Sequence, residues 1–428
     1  MIALAAIHSD PAFTPLALLY LRAQLVEHGG VPAGDVDIAE FALDTPPADI
    51  ARRILRSNPR VAGLSCYVWN VTTFMEVAKL LKKARPDLVI VLGGPEVGPM
   101  AASTVDAYPD VDVVVKSEGE APFSEIVERA RDGRTLHDVK GIAFRDARGV
   151  VVDNEDAPLL KDVNDLPSPH LGGFDDIDYG GRVICLETQR GCVFKCNFCF
   201  YNKDSSVRNR RFELDRVKRE LLHWLGRDVQ QIYLMDPVFN LYGDRAKDIL
   251  RFIAANNARR VPFHTEVWAE FIDDEMARLM RDANVTFVEV GLQTTDTTAL
   301  MTVERRLKVE QFVHGVECLK KHGVDFELQL IYGLPGETRA SFMKSLAFAE
   351  SLEPPQLAVF PLMVLPGTEL WRKAEAIGLE YEPTPPYYVR SHPTMTREDI
   401  AFGWELVERN GRPEGLPYSW ESGRLTAS

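Results

Sequence analysis

Short apolar runs alternate with amphipathic stretches over the first part of the chain. IALAAI (2–7), VDIAEFAL (36–43), VAGLSCYVW (61–69), LVIVLGG (88–94) and VDVVVKSEGE (111–120) predict strands. Helical patterns fill the gaps at 15–30, 49–57, 72–84 and 121–133, the first stopped by Gly29-Gly30. Near-continuous apolar strands are expected where both faces of a sheet are covered. The alternation therefore predicts a doubly wound parallel sheet, Rossmann-like, over residues 1–138. GIAFRDARGVVVDN (141–154) reads as a hairpin, and the Pro-, Gly- and Asp-rich stretch 166–180 as a connector. Together they make a linker over 139–180.

A second βα series begins at Arg182. RVICLET, QQIYLMD (230–236), FHTEVWA (263–269), FVEVGLQT (287–294), DFELQLIYG (325–333) and LAVFPLMV (357–364) predict strands. Helical patterns separate them at 213–226, 244–257, 273–283, 309–322 and 338–352. Successive right-handed βαβ units curl into a partial (β/α)6 barrel, here 181–375. The remaining segment, 376–428, holds a short helix near 396–410 and a polar tail expected at the surface or disordered.

Charge narrows the class. Lys plus Arg total 49 against 63 Asp plus Glu, a net −14. Nucleic-acid binding needs clustered cations to displace counterions, so that balance argues against it. No apolar run approaches the ~20 residues that cross a bilayer, so no membrane partner is expected. The start, MIALAAIHSD, lacks the basic region of a signal peptide, and a cytoplasmic protein is expected.

The six cysteines are too few for a disulfide scaffold, and they are unevenly placed. Cys192, Cys196 and Cys199 form CxxxCxxC directly after the first strand of the second series. Three thiolates on one tight loop can hold three irons of a cubane cluster and leave the fourth open. Structural zinc is the alternative, but it wants four ligands in paired units, and no second pair exists. Buried core thiols are another, and the loop is polar for a core. Cys66 and Cys318 read as core thiols, and Cys185 lies on the strand before the loop.

The triad, with Phe198 just before its last cysteine, resembles the radical SAM superfamily. That resemblance implies a 4Fe-4S cluster whose open iron binds S-adenosylmethionine. Met235, Asp236 and Pro237 end the second barrel strand. There the family often has Gly-Gly-Glu, whose backbone carbonyls take the methionine ammonium; this chain lacks the glycines, so the match is of position. Glu266 and Gln293 lie where similar enzymes bind the ribose and the methionine carboxylate. Each has a structural alternative, as a paired barrel carboxylate or a strand-end amide. QLIYGLPGET (329–338) resembles the family's turn after the fifth strand. Gln329 stands where many relatives carry Asp, so no ribose contact is carried over. VFPLMVLPGTEL (359–370), including Leu365, resembles the segment that packs on adenine.

The first domain resembles the cobalamin-binding domain attached to many radical SAM enzymes. GLSCYVWN (63–70), VLGGPEV (91–97) and KSEGEAPF (116–123) fall at strand C-terminal ends, where open α/β sheets bind ligands. The resemblance assigns cobalamin contacts to Ser65, Tyr67, Trp69, Gly93, Gly94, Pro95, Glu96, Glu118 and Gly119. The Asp-x-His-x-x-Gly signature that supplies an axial His is absent, and His8 does not match it.

The implied function is a cobalamin-dependent radical SAM enzyme methylating an unactivated carbon of a small metabolite, through a 5′-deoxyadenosyl radical and methylcobalamin. An electron donor such as flavodoxin or ferredoxin is implied as partner. The alternative within this branch is cyclisation, rearrangement, oxidation or heteroatom insertion without methyl transfer. An RNA-modifying methylthiotransferase would bring a basic tail and more N-terminal cysteines. A cobalamin sensor would need no cysteine triad.

Overall fold

The computed structural model describes residues 1–172, 179–202 and 209–409. These divide into two compact units, Met1–Pro158 and Leu159 onward.

The first unit runs β1 (Ile2–His8), α1 (Leu16–Glu27), β2 (Val36–Ala42), α2 (Pro47–Leu55), β3 (Val61–Ser65), α3 (Val71–Ala84), β4 (Val89–Gly93), α4 (Ala101–Ala107), β5 (Val113–Val115), α5 (Glu120–Asp132), β6 (Ile142–Arg145) and β7 (Val151–Asp153). The sheet order is β2-β1-β3-β4-β5-β6-β7, parallel through β5 and antiparallel at β6 and β7. Two apolar layers sandwich it. Ile50, Ile54, Phe74, Val77 and Leu81 cover one face and Leu18, Leu25, Phe123 and Ile126 the other, all buried. Each such side chain contributes roughly 1.5–3 kcal/mol on burial. The hairpin expected in the linker is the edge of this sheet, and the division between units falls after Pro158. β5 has three residues because Lys116 to Gly119 already turn into α5.

The second unit begins with β8 (Val183–Leu186), the two-residue strands β9 (Gln189–Arg190) and β10 (Arg210–Arg211), and α6 (Leu214–Leu225). It continues with β11 (Gln231–Leu234), α7 (Gly243–Asn256), β12 (Phe263–Val267), α8 (Asp274–Asp282), β13 (Val285–Gln293), α9 (Thr297–Thr302) and α10 (Val309–His322). Then come β14 (Asp325–Tyr332), α11 (Arg339–Ser351), β15 (Gln356–Pro361), α12 (Glu369–Lys373), β16 (Glu380–Tyr381), β17 (Val389–Ser391) and α13 (Arg397–Arg409). Six parallel strands stand in sequence order, β8-β11-β12-β13-β14-β15, as a partial barrel requires. Local chemistry sets the ends. The Asp273 side chain accepts from Met276 N and starts α8; a Thr338–Ser341 capping box starts α11. Gly323, left-handed at φ 66°, ends α10. The polar tail beyond residue 409 and residues 173–178 of the connector lie outside the described residues. No helix among the described residues is long and apolar enough to cross a membrane.

Candidate functional site

The cysteine loop is fixed at its neck. After β8 the chain passes Thr188 and Gln189, whose backbone N–H groups donate to Asp236 Oδ1 at 2.7 and 3.1 Å. Thr188 Oγ1 donates to Asp236 Oδ2 at 2.5 Å. Asp236 is fully buried, and that burial pushes its carboxyl up to about 7. Its side chain is thus engaged within the protein, which leaves the backbone around it as the part able to meet a ligand. Met235 N donates to Leu186 O, so the ends of β8 and β11 stay side by side.

Beyond the neck, Cys196 is buried while Cys192 and Cys199 are half-buried. Cys199 N donates to Cys196 O at 3.0 Å, closing a turn. Asn197 anchors it: its N–H reaches Val303 O, its Nδ2 reaches Thr302 O at 2.7 Å, and its O accepts from Leu370 N. Desolvation raises the Cys192 thiol and pushes Cys199 up to about 12; for both, the charge of the neighbouring cysteines adds to it. The three cysteines lie on one loop of eight residues. Thiols in such a setting become thiolates only when bound iron replaces their protons, which fits the donor set of a cluster. Among the described residues no three His, Cys, Asp or Glu side chains stand arranged around a single metal ion. A cubane distributes three thiolates over three irons, a wider arrangement than one ion's.

Arg305 was not singled out by sequence reasoning. Its Nη1 lies 3.7 Å from Cys196 Sγ, its Nη2 donates to Gly291 O, and its guanidinium lies 4.2 Å over the Trp268 ring. Trp268 stacks at 3.8 Å on Phe194 of the cysteine loop. A cation beside three prospective thiolates is what electrostatics asks for, but Arg305 is 106 residues from the nearest of them in sequence terms and no local pattern marks it.

Polar side chains line the inner face of the strands. Tyr233 OH donates to Glu266 Oε1 at 3.1 Å. Burial, then the charge of Glu289, push the Glu266 carboxyl up to about 8. Gln329 Nε2 donates to Glu289 at 2.7 Å and to Glu327 at 3.0 Å, and His264 Nε2 lies 3.1 Å from Glu289. The alternate residues Val288, Val290 and Leu292 are buried on the other face, under the helices. Gln293 ends β13 at a bulge with φ 69°, a conformation costly for a side-chain-bearing residue. Its Oε1 is buried without a hydrogen-bond partner. A Cβ at Gly291 would strike Gln293 Nε2, so that glycine makes room for the amide. Gly291 has the Gln293 amide and the Arg305 guanidinium beside it, and Arg305 reaches Cys196 Sγ; an orphaned amide oxygen in that setting fits the zwitterionic end of an amino acid such as S-adenosylmethionine. Phe198 is half-buried in the loop, and Pro237 follows Asp236. Leu365 begins the turn into α12, whose Leu370 N holds Asn197 O. The structure thus brings the candidate cluster and S-adenosylmethionine residues to one end of the second sheet.

In the first unit the loops after β3, β4 and β5 share the strand C-terminal end. The strand order reverses between β1 and β3, the switch point where such sheets bind ligands. Trp69 Nε1 and Asn70 Nδ2 both donate to Ile7 O, at 3.1 and 3.2 Å, spanning that point. Tyr67 and Trp69 stack on each other, centroids 4.4 Å apart. Ser65 ends β3, with its O accepting from Asn70. Gly94 has φ 114°, and a Cβ there would collide with Cys66 O. Gly94 is therefore demanded by the fold itself. Gly93 is open: its nearest neighbour would be Val115 Cβ at 3.9 Å. Pro95 is half-buried and Glu96 buried, beside Cys66, whose thiol is pushed up by burial and then by Glu96. Glu118 and Gly119 are half-buried at the start of α5. His8 Nε2 is 2.7 Å from Glu40 Oε2.

Comparison with known proteins decides the family. The Radical SAM superfamily matches residues 186–349, and the B12 binding domain matches 3–127. The chain is a radical SAM protein with a B12-binding domain. This radical SAM protein is 27% identical over 371 residues to an uncharacterized methyltransferase, PH0819, of Pyrococcus horikoshii, covering 85% of this chain and 79% of that one. It is 29% identical over 420 residues to the cobalamin-dependent radical SAM methyltransferase TokK of Streptomyces tokunonensis, covering 94% of this chain and 61% of TokK. The fold is that of the radical SAM methyltransferase TsrM from Kitasatospora setae. TsrM with tryptophan and a SAM analog bound superposes with a TM-score of 0.76 at 17% identity, over 96% of this chain and 89% of that one.

Proposed function

We propose that this protein is a cobalamin-dependent radical SAM enzyme that methylates an unactivated carbon of a small metabolite. One observation carries the reading: a three-thiol loop follows the first strand of the partial barrel, in a chain that also has a B12-binding domain. The similarity to TokK supports methyl transfer over the other radical reactions. When bound, the cluster and S-adenosylmethionine supply a carbon-centred radical and cobalamin carries the methyl group.

The chain's own residues bind, orient and exclude water. Cys192, Cys196 and Cys199 hold the cluster, and Arg305 neutralises part of the thiolate charge. Gln293, Glu266, Phe198, Leu365 and the backbone of Met235–Pro237 hold S-adenosylmethionine. The orphaned Gln293 oxygen and the Tyr233–Glu266 pair give it a preorganised polar wall. Ser65, Tyr67, Trp69, Gly93, Pro95, Glu96, Glu118 and Gly119 form the cobalamin crevice, with Gly94 shaping its loop. The electron comes from a protein carrier, and the working compartment is the cytoplasm. Six free cysteines support a reducing compartment.

The test is composition under strict anaerobiosis. Wild type should carry about four irons and four sulfides per chain and show corrin absorbance after incubation with hydroxocobalamin. Cys192→Ala, Cys196→Ala and Cys199→Ala should each lose most iron and sulfide while keeping the corrin. Stoichiometric zinc in place of iron would overturn the cluster, and a protein that takes up no corrin would overturn methyl transfer.

A further inference from the structure

The strand β13 ends under strain. Gln293 takes φ 69°, and Thr294 N donates across it to Leu292 O at 3.0 Å. A hydrogen bond spanning a single residue of positive φ is the rare, strained form of the γ-turn. The register with β14 slips at the same place, between Gly291 and Gln293. A side-chain-bearing residue stays in such a conformation only where its surroundings over-determine it.

Those surroundings are a polar node. Thr294, Glu337 and Ser345 are all fully buried. They come from the residue after β13, the turn before α11 and the middle of α11. Thr294 Oγ1 donates to Glu337 Oε1 at 2.5 Å and lies 3.2 Å from Ser345 Oγ. Ser345 Oγ accepts from Thr295 N at 2.9 Å. The two residues after Gln293 are thus fixed by α11 and the turn before it, and hydrogen bonds are strong in a dry interior. The turn is itself tied down, since Thr394 Oγ1 donates to Glu337 O at 2.6 Å. Burial raises the Glu337 carboxyl to about 8, so near neutrality it is mostly uncharged, and an amide oxygen can replace its Oε1 as acceptor.

We propose that Glu337 and Ser345 are positioning residues that hold this turn and so present the Gln293 amide to the amino-acid end of S-adenosylmethionine. The proposal rests on the reading of Gln293 as a contact to that ligand. Gln293 Oε1 is buried with no hydrogen-bond partner among the described residues, so that oxygen brings no bond of its own to hold the amide. Releasing the turn lets the amide take other directions, and the apparent affinity falls with the fraction that stays competent. Saturating ligand restores the competent form, so the loss falls on KM rather than kcat.

The test uses cluster-loaded protein and S-adenosylmethionine. Affinity is read by equilibrium dialysis with the cluster oxidised, and KM and kcat from 5′-deoxyadenosine formation. Ser345→Ala and Thr294→Val should each weaken binding about tenfold, with KM rising in step and kcat within about twofold of wild type. Thr294→Val keeps the shape of the side chain, so the reading survives if Ser345→Ala fails to take up its cluster. Glu337→Gln should bind within about twofold of wild type and Glu337→Leu about tenfold more weakly. In a Gln293→Ala background, Ser345→Ala should add less than about twofold. An undiminished loss in that background overturns the proposal, because the node then acts by another route. One such route is α9, capped by Asp296, whose Thr302 O holds Asn197 of the cysteine loop; iron per chain would then fall, where the proposal expects the wild-type level. Wild-type affinity in both Ser345→Ala and Thr294→Val, with Gln293→Ala weakened, overturns the node alone. Wild-type affinity in Gln293→Ala overturns the reading of Gln293, and the proposal with it.

Discussion

Arg305 shows what a residue-level reading misses and why. Its role comes from three contacts, to Cys196 Sγ, Gly291 O and the Trp268 ring, made by segments distant in sequence. A guanidinium donating to a cluster thiolate stabilises the more negative, reduced cluster, and hydrogen bonds to the sulfurs are a known lever on its potential. Arg305→Met should lower the reduction potential by on the order of 60 mV, one tenfold in a one-electron equilibrium, with Arg305→Lys between the two. Anaerobic potentiometry followed by electron paramagnetic resonance reads this; an unshifted potential would remove Arg305 from the cluster's electrostatics. Glu337 gives a second residue-level prediction. It is fully buried, its Oε1 accepts from Thr294 Oγ1 at 2.5 Å, and burial, with the charge of Asp296 adding, pushes its carboxyl up to about 8. Its folded value lies above the unfolded one near 4.5. The folded state then binds the extra proton between about pH 4.5 and 8, and stability falls as pH rises through that window. Glu337→Gln should be more stable than wild type at pH 8.5, by about 1–3 kcal/mol, and indistinguishable near pH 4.5. Urea midpoints across that range check it; a pH-independent difference would contradict it. Gly93 and Gly94 also separate. Gly94→Ala should destabilise with or without cobalamin, since the clash is with Cys66 O. Gly93→Ala should fold normally and bind the corrin several-fold more weakly, so corrin titration of this variant tests the crevice without a folding artefact.

Elements were more legible than contacts. The six parallel strands of the second unit's main sheet and the helix at Val309–His322 follow directly from apolar runs and the Gly323 stop. The short helices α4, α9 and α12 did not, because five to seven residues carry too little periodicity to register. The 141–154 hairpin was visible as a hairpin, but pairing with β5 depends on a partner far along the chain, so its place at the sheet edge was not. At the site, the cysteine spacing and the place of Gln293 at a strand end were legible, whereas the bulge at φ 69° there is a tertiary strain with no local signature. The cysteine loop's posture depends on the Phe194–Trp268 stack and the Asn197 anchors, neither evident from spacing. Trp268→Ala should therefore loosen the loop and remove Arg305's support, halving or worse the iron retained through desalting. Full retention would show that the Asn197 anchors suffice.

At the scale of the whole molecule, two units each place their ligand-side loops at strand C-terminal ends, and each matches a family with its own cofactor. The chain spans 61% of the length of TokK, and a shared fold does not fix the substrate. The central claim is that this machinery both generates a radical from S-adenosylmethionine and transfers its methyl group. The most direct measurement is anaerobic incubation of the cluster- and cobalamin-loaded protein with S-adenosylmethionine and reductant, with both nucleoside products quantified. The account predicts 5′-deoxyadenosine and S-adenosylhomocysteine together, the second vanishing when cobalamin is withheld and both vanishing in Cys196→Ala. 5′-Deoxyadenosine without S-adenosylhomocysteine would contradict methyl transfer, and neither product would contradict the enzyme.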